Sequence, residues 1–453
     1  MKKIKAYGRK TERRYFFIEA LGCPKNLVEA EVVAGSMISA GYGISFDPDQ
    51  ADVYIICTCG FLPSARGEAA DSIANAVEWK AAKKRRTIAV AGCLLNHEDI
   101  DKFREHFAEV DLWVPVNDTA RIPELLSGAA PAGDEKGITF LADERNVRLQ
   151  FTLPHVAYLK ISDGCNNHCA YCAIPHLRGE LRSRRIAGIV TEARQLIANG
   201  VKELVVIAQD LTAFGQDAPE NGENAATLLR SLDAIEGEFV LRLLYTHPAH
   251  YTDEFIDVIA SSTHILPYLD MPLQHISDRI LAAMNRHIDR AGIEELLAKL
   301  RSRIPNLTLR TTFITGLPGE SEAEFEELYE FAKKWKFDRF GVFSYAPEPG
   351  TPAAEMPDQI PVEIADARAK TLLKSQKERM KRRQKKLVGT QLLAIFDSID
   401  EESGYAIARG MADAPEIDNV IYFEADDSCE PGDFVTLEIT GVSGCDLVGK
   451  LVQ

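Results

Sequence analysis

The chain has 453 residues, 68 acidic against 52 basic, a formal charge of −16, 26% charged and 46% hydrophobic residues. That length suits roughly two to four domains with a large core, and the negative balance opposes non-specific attraction to a polyphosphate while favouring a basic partner. Nine scattered cysteines point to metal or redox chemistry rather than a disulfide scaffold. The basic start MKKIKAYGRKTERRYFF leads into no apolar run that could act as a signal segment, and no apolar run approaches about 18 residues. The expectation is a cytoplasmic protein without a membrane partner.

From Arg14 to Leu125, β-rich runs alternate with amphipathic segments, the rhythm of an α/β domain, expected to be flavodoxin-like. Tyr15 to Ala20 reads as a strand, and a helix is expected from about Leu27 to Ala40, with Gly41 as its stop. Val53 to Cys57 reads as a second strand, Ser64 to Lys84 as a helix closing in a basic run, and Thr87 to Ala91 as a third strand. The three strands lead into Cys23, Cys59 and Cys93. In an open parallel sheet ligands bind at the strand C-termini, so these thiols should converge, one short of a closed four-cysteine cluster. Three unrelated half-buried thiols are the alternative.

Residues 126–150, with the punctuation SGAAPAGDEKG, read as a linker, preceded by a short helix at Ala120 to Leu126. The next domain is expected over 151–386. Its stretch Ile161 to Arg185 carries Cys165, Cys169 and Cys172 in a C-x3-C-x2-C spacing. A cubane cluster needs four thiolates, and three leave one iron open to a ligand that is not protein. The competing reading is a zinc site completed by His168. However, His168 abuts Cys169, and structural zinc normally recruits a second pair of ligands.

Strands follow at Glu203 to Ala208, Val240 to Tyr245, Leu266 to Met271, Leu309 to Ile314 and Arg339 to Tyr345, with helices such as Ile189 to Asn199 and Ala291 to Arg303 between them. With the strand leading into Ile161 this makes about six β/α units, a partial TIM-like barrel with its chemistry at the strand C-termini. Pro361 to Leu387 is expected as a long helix, rich in Lys and Arg from Lys370 to Lys386. Such a run is usually a solvated face; contact with ribosomal RNA is the alternative. From Leu387 to the end, five short strands separated by turns suggest a small antiparallel barrel of the OB kind. Its bases are Arg409 and Lys450, against acids that include Asp397, Asp400, Glu401, Glu402, Asp426 and Asp427. A barrel this acidic suits a basic protein better than phosphate.

The three-cysteine motif, with Tyr171 before its last Cys, resembles the cluster motif of the radical S-adenosylmethionine (SAM) enzymes. The segments Gly22-Cys23-Pro24-Lys25-Asn26, Thr58-Cys59-Gly60-Phe61 and Ala91-Gly92-Cys93 resemble the N-terminal domain of the methylthiotransferases within that superfamily. Gln209-Asp210-Leu211-Thr212-Ala213-Phe214-Gly215, Ile314-Thr315-Gly316-Leu317-Pro318-Gly319-Glu320 and the terminal barrel, which resembles a TRAM domain, extend the match over nearly the whole chain. Two departures are Ala208 where Gly is usual, and Cys57 where Asn usually precedes T-C-G, so that Cys57 could compete with Cys59.

The resemblance implies two 4Fe-4S clusters, one on Cys165, Cys169 and Cys172 that reduces SAM, the other on Cys23, Cys59 and Cys93 that presents sulfur, the two facing each other across the barrel mouth. It implies SAM or substrate contacts at Tyr171, Gln209, Asp210, Gln274, Arg310, Ile314 and Gly316, an external one-electron donor and a sulfur source; a buried structural role is the alternative for each of Gln209, Asp210, Gln274 and Arg310. Two branches compete, one modifying a tRNA adenosine and one the β-carbon of an aspartate in a basic protein of the small ribosomal subunit. Leu177 to Arg184, Leu269 to His275 and Asp413 to Asp418 resemble segments of the ribosomal-protein branch. An iron–sulfur electron carrier or scaffold is the reading from another class. It would leave the partial barrel and the terminal domain without a purpose.

Overall fold

The computed structural model describes residues 13–130 and 140–452. They divide into two compact units between Leu149 and Gln150.

In the first unit β1 (Tyr15–Ala20), α1 (Pro24–Ser39), β2 (Gly43–Ile44), β3 (Val53–Thr58), α2 (Pro63–Ala82), β4 (Thr87–Gly92), α3 (Ile100–His106), β5 (Leu112–Trp113) and α4 (Ile122–Leu126) follow one another. Their parallel sheet has the order β2-β1-β3-β4-β5, the flavodoxin arrangement expected from the alternating pattern. Every residue of β3 is buried, as a central parallel strand covered on both faces requires. Within the expected linker, residues 131–139 lie outside the described set, and those just before Gln150 return onto α1. There Leu149 N–H donates to the Glu31 carbonyl at 3.0 Å and Arg148 Nε reaches the buried Glu31 carboxylate at 3.1 Å.

The second unit runs through β6 (Val156–Lys160), β7 (Ser162–Asp163), α5 (Ile174–Arg178), β8 (Arg182–Ser183), α6 (Ile186–Ala198), β9 (Glu203–Ile207), α7 (Ala225–Asp233), β10 (Val240–Leu243) and α8 (Asp253–Ser261). It continues with β11 (Ile265–Asp270), α9 (Asp278–Ala283), α10 (Arg290–Arg303), β12 (Thr308–Thr315), α11 (Glu322–Trp335), β13 (Arg339–Ser344) and α12 (Val362–Leu387). Strands β6, β9, β10, β11, β12 and β13 form one open parallel sheet in that sequential order, the partial (β/α)6 barrel. Leu159, Val206, Leu243 and Leu269 from its strands pack with Ile189, Leu229, Ile256 and Leu297 from its helices in one core.

The chain ends in β14 (Gln391–Ile399), β15 (Ala406–Gly410), β16 (Ile421–Phe423), β17 (Phe434–Ser443) and β18 (Asp446–Leu451), a closed barrel in the order β14-β15-β16-β18-β17. Its strands are antiparallel except where β16 pairs parallel with β18. That exception corrects the all-antiparallel expectation: alternating directions cannot be kept around a closed ring with an odd number of strands.

The segment Met411 to Asp418 of this small barrel docks onto side chains from the large barrel's strands β10, β11 and β13. Arg339 pairs with Asp413, Tyr268 Oη donates to Asp418 Oδ2 at 2.6 Å, and Arg242 Nη1 donates to the Met411 carbonyl at 3.1 Å. Beside them Glu203 lies between Arg242 and Arg409, and Arg409 also pairs with Asp397. Asp397, Asp413 and Asp418 are therefore used within the molecule, and so is Arg409. The surface acidity of the small barrel rests on residues such as Glu401, Glu402, Asp426 and Asp427, which are exposed.

Candidate active site

The loop after β6 is built to present three thiols. The β7–β8 ribbon pairs Ser162 with Ser183 and Asp163 with Arg182, closing residues 164–181 into one excursion. Gly164 has φ +74° and lies so close to Glu180 that a Cβ would enter its carbonyl, while Cys165 N–H donates to the Gly179 carbonyl at 3.2 Å. Beneath the loop the fully buried Asp163 carboxylate takes Lys160 at 3.0 Å, Arg178 at 3.4 Å and Gln209 Nε2 at 2.7 Å. The segment Leu177 to Arg184 thus supports the thiol loop. His168 stands at φ +47° and its carbonyl accepts from Asn285 Nδ2 at 2.9 Å.

Cys169 is buried, while Cys165 and Cys172 are half-buried. Backbone N–H groups of Asn167 and Ile174 donate to the Cys165 and Cys172 sulfurs, and Arg286 Nη1 lies 3.3 Å from Cys169 Sγ. Burial pushes the thiols of Cys165 and Cys172 up, to about 11 and about 12, so their conversion to thiolates is coupled to metal binding. Three sulfurs supplied with hydrogen-bond donors suit an iron–sulfur cluster, and a fourth ligand is left to come from outside the chain.

The strand C-termini around this loop hold polar atoms that have no partner among the described residues. They are Ser162 Oγ after β6, Gln209 Oε1 after β9, His247 Nε2 after β10, Gln274 Oε1 after β11 and Tyr345 Oη after β13. Each such group costs about 1–3 kcal/mol if it stays unpaired, and their recurrence at successive strand ends fits a polar ligand such as SAM. Gln274 sits at φ +72°, an uncommon backbone for a residue with a Cβ.

Asp210 joins the thiol loop to this rim. Its Oδ2 lies 2.8 Å from Asn167 Nδ2 and 2.8 Å from His250 Nδ1, and its Oδ1 accepts from Thr212 N–H at 3.0 Å. Burial works against the charge, but the His250 hydrogen bond and the neighbouring donors hold this carboxyl down to about 2. His247 Nδ1 accepts from Ala249 N–H, and burial followed by the Arg286 charge pushes its imidazole down to about 2, leaving a neutral ring with the proton on Nε2. Asp210, His247 and His250 can bring one donor atom each within 4.8 Å of the others. The existing hydrogen bonds and the nearby guanidinium make this a polar network rather than a cation site.

Of the other residues singled out by the sequence, Tyr171 and Ile314 pack together with Ala170, Ile280 and Leu317 in a small apolar cluster behind the loop. Gly316, at φ +80°, forms the turn where α12 crosses; a Cβ there would strike Ala365. Arg310 Nη1 binds Asp270 at 2.7 Å and its Nε lies 3.9 Å from Asp418, so its guanidinium faces the docked small barrel. Arg286, Asn167, His247 and His250 were not picked out by motif. His247 and His250 follow a barrel strand directly, a position that marks candidates in such folds.

In the first unit, Cys23 is the N-cap of α1, Cys59 follows β3 and Cys93 follows β4. Adjacent strands β1, β3 and β4 bring the three turns together. A Cβ on Gly22 (φ +88°) would meet Cys59 Cβ at 2.5 Å and Sγ at 3.0 Å, and one on Gly60 would meet the Cys93 carbonyl at 3.0 Å. The glycines therefore let three cysteine-bearing turns close on one another, a cradle that fits a shared metal group. Cys57, one residue inside β3, is fully buried, and burial pushes its thiol far up, aided by Glu29. That makes it a poor metal ligand.

An open parallel barrel with a three-thiol loop and a rim of unpaired polar atoms at its strand ends defines a radical SAM enzyme, with SAM and a 4Fe-4S cluster as its cofactors. Comparison agrees: residues 159–332 match the radical SAM superfamily, 15–115 the uncharacterized protein family UPF0004 and 388–452 the TRAM domain. Among solved structures, the radical S-adenosylmethionine methyltransferase TsrM from Kitasatospora setae superposes with a TM-score of 0.57 at 13% identity, covering 76% of this chain and 75% of that one. The likeness is one of fold.

Closer in sequence is the ribosomal protein uS12 methylthiotransferase RimO of Geobacter sulfurreducens, 40% identical, covering 96% of this chain and 98% of that protein. The protein of the same name from an Anaeromyxobacter species is 41% identical over 96% of this chain and 93% of its own length. The chain belongs to the radical SAM methylthiotransferase family that these proteins represent. Among the described residues no helix is long and apolar enough to cross a membrane.

Proposed function

We propose that the protein places a methylthio group on the β-carbon of an aspartate in ribosomal protein uS12, working in the cytoplasm with SAM and two 4Fe-4S clusters. The observation that carries this reading is the presence of two three-thiol sets on one chain that aligns almost end to end with relatives named for that activity. When bound, the cofactors supply one-electron chemistry able to take hydrogen from an unactivated carbon and deliver CH3S to it.

The chain's own residues hold and orient these groups. Cys165, Cys169 and Cys172 are assigned to the SAM-binding cluster, with Arg286 placed to offset negative charge at Cys169. Cys23, Cys59 and Cys93 are assigned to the second cluster, on the strength of the glycine-lined closure of their turns. Gln209, His247, Gln274 and Tyr345 offer the unpaired polar atoms expected of SAM or substrate contacts, and Asp210 fixes the thiol loop against the rim. Gly316 and Ile314 shape the wall beside them. Electrons and replacement sulfur come from external donors.

The test is mass spectrometry of uS12 and of tRNA from a strain lacking the gene. We expect uS12 to lose about 46 Da, the change from CH3S back to H, with tRNA unaltered. Loss from a tRNA adenosine instead would overturn the substrate, and absence of 5′-deoxyadenosine after anaerobic reduction with SAM would return the carrier reading.

A further inference from the structure

We infer that a groove between α11 and the second half of α12 binds the sugar–phosphate backbone of RNA, at the end of the large barrel away from the thiol loop. The groove, about 490 Å³, is lined by Lys333, Lys336, Arg379, Arg382, Arg383 and Lys386, with Asp338 its single lining carboxylate. Arg379, Arg382, Arg383 and Lys386 follow the helical spacing of one face. They form a stripe roughly 10 Å long at 1.5 Å per residue. That length meets about three successive phosphates at 3.4 Å per nucleotide along the axis of one strand.

The charge is poorly balanced within the fold. Lys333 pairs with Glu330 at 2.6 Å and Arg383 with Asp338 at 3.3 Å. Among the described residues Lys336, Arg379, Arg382 and Lys386 have no ion-pair partner, in a protein whose total charge is −16. Among the described residues Arg379 donates to the Ala332 carbonyl and to Gln376. Burial, with Arg382 and Arg301 adding repulsion, lowers its guanidinium to about 10. Helix-dipole preference accounts for basic residues in the last turns of α11 and α12. It does not account for Arg379 and Arg382, more than a turn before the end of α12.

The class of ligand follows from the shape and chemistry of the groove. Arginine forks suit phosphate oxygens bidentately. A membrane-surface helix presents an exposed apolar face beside its cations, whereas the buried face of α12, including Ala365, Ala369 and Leu372, packs inside the unit. The location follows from topology. Lys336 precedes β13, and the thiol loop follows β6, so in a parallel sheet they lie at opposite strand ends. RNA held here would anchor a ribonucleoprotein particle without entering the catalytic mouth. The inference is independent of which molecule is modified, because binding is read without turnover.

The experiment is fluorescence anisotropy of a labelled RNA hairpin of generic sequence with the cluster-loaded, full-length protein, over a salt series. For the parent protein log K should fall with log salt at a slope near −3, as expected for about three to four phosphate contacts. Arg382→Glu with Arg383→Glu should weaken binding at least about tenfold and flatten the slope by about 2, and the paired Gln substitutions should give an intermediate loss. Lys370→Glu with Lys374→Glu, the same charge change on exposed residues outside the groove, should leave affinity within about twofold. Parent-like binding by the double Glu variant, or equal loss in the Lys370/Lys374 control, would overturn the site. Preferential binding of phosphatidylglycerol vesicles, or displacement of RNA by polyglutamate as efficiently as by unlabelled RNA, would overturn the ligand class.

Discussion

Removing the Glu203 carboxylate should strike the second unit harder than any surface substitution. Glu203 is fully buried at the start of β9; its Oε1 lies 2.5 Å from Arg242 Nε and its Oε2 2.7 Å from Arg409 Nη1. Burial works against its charge, but the two guanidiniums overcome this and hold the carboxyl below the usual range. Glu203→Ala leaves Arg242 with the Met411 carbonyl and the Tyr268 ring face, while Arg409 keeps Asp397. One guanidinium is thus stranded in a buried site, and breaking such a pair costs about 3–5 kcal/mol. Guanidinium chloride unfolding followed by circular dichroism should show that loss. Replacing both partners, Glu203→Met with Arg242→Met, should recover much of it, because the penalty lies mainly in the uncompensated charge. A loss under about 1 kcal/mol for Glu203→Ala would refute the reasoning, as would a double variant no more stable than the single one.

Cys165→Ala should abolish formation of 5′-deoxyadenosine from SAM, while Cys59→Ala should spare it and lower bound iron by about four atoms per chain; equal loss of cleavage in both would count against the division of labour. Cys57→Ala should keep the parent iron content, and under anaerobic conditions Cys57 should be the slowest thiol to react with iodoacetamide, since burial keeps it protonated. Asp210 has a folded value below its unfolded one, so its contribution is present above about pH 4 and is lost as pH falls through about 2. Acid unfolding of the metal-free protein should therefore be less steep in Asp210→Asn, which forgoes about 2 kcal/mol near neutrality; an unchanged pH profile would argue against a hydrogen-bonded carboxylate at Asp210. His247→Ala should weaken SAM binding about three- to tenfold, the worth of one hydrogen bond, with His247→Gln milder; unchanged affinity in both would remove Nε2 from the SAM site.

What could be read from the sequence was local or periodic. The C-x3-C-x2-C spacing lies within one loop, so its meaning did not depend on the fold; β3 and β4 were legible because buried parallel strands are continuous apolar runs, and the half-buried β1 from its run Tyr15-Phe16-Phe17-Ile18. Their common edge then placed Cys23, Cys59 and Cys93 at neighbouring strand ends without any distance being known. Charge was harder to read. The acids counted after Leu387 include Asp397, which meets Arg409, and a count cannot show that Asp413 and Asp418 meet a cation and a phenol of the large barrel, through contacts separated by 74 and 150 residues in sequence. The same blindness applied to Arg310, whose place beside Asp270 and Asp418 depends on two strands and a docked loop. Arg286 was invisible for the complementary reason: it reaches Cys169 from 117 residues away, and nothing in its neighbours' types marks it. Composition thus reports how much charge a chain carries, but only the fold decides which charges remain to meet a partner. By that measure the small barrel is less acidic, and α12 more available to an anion, than the sequence alone implies.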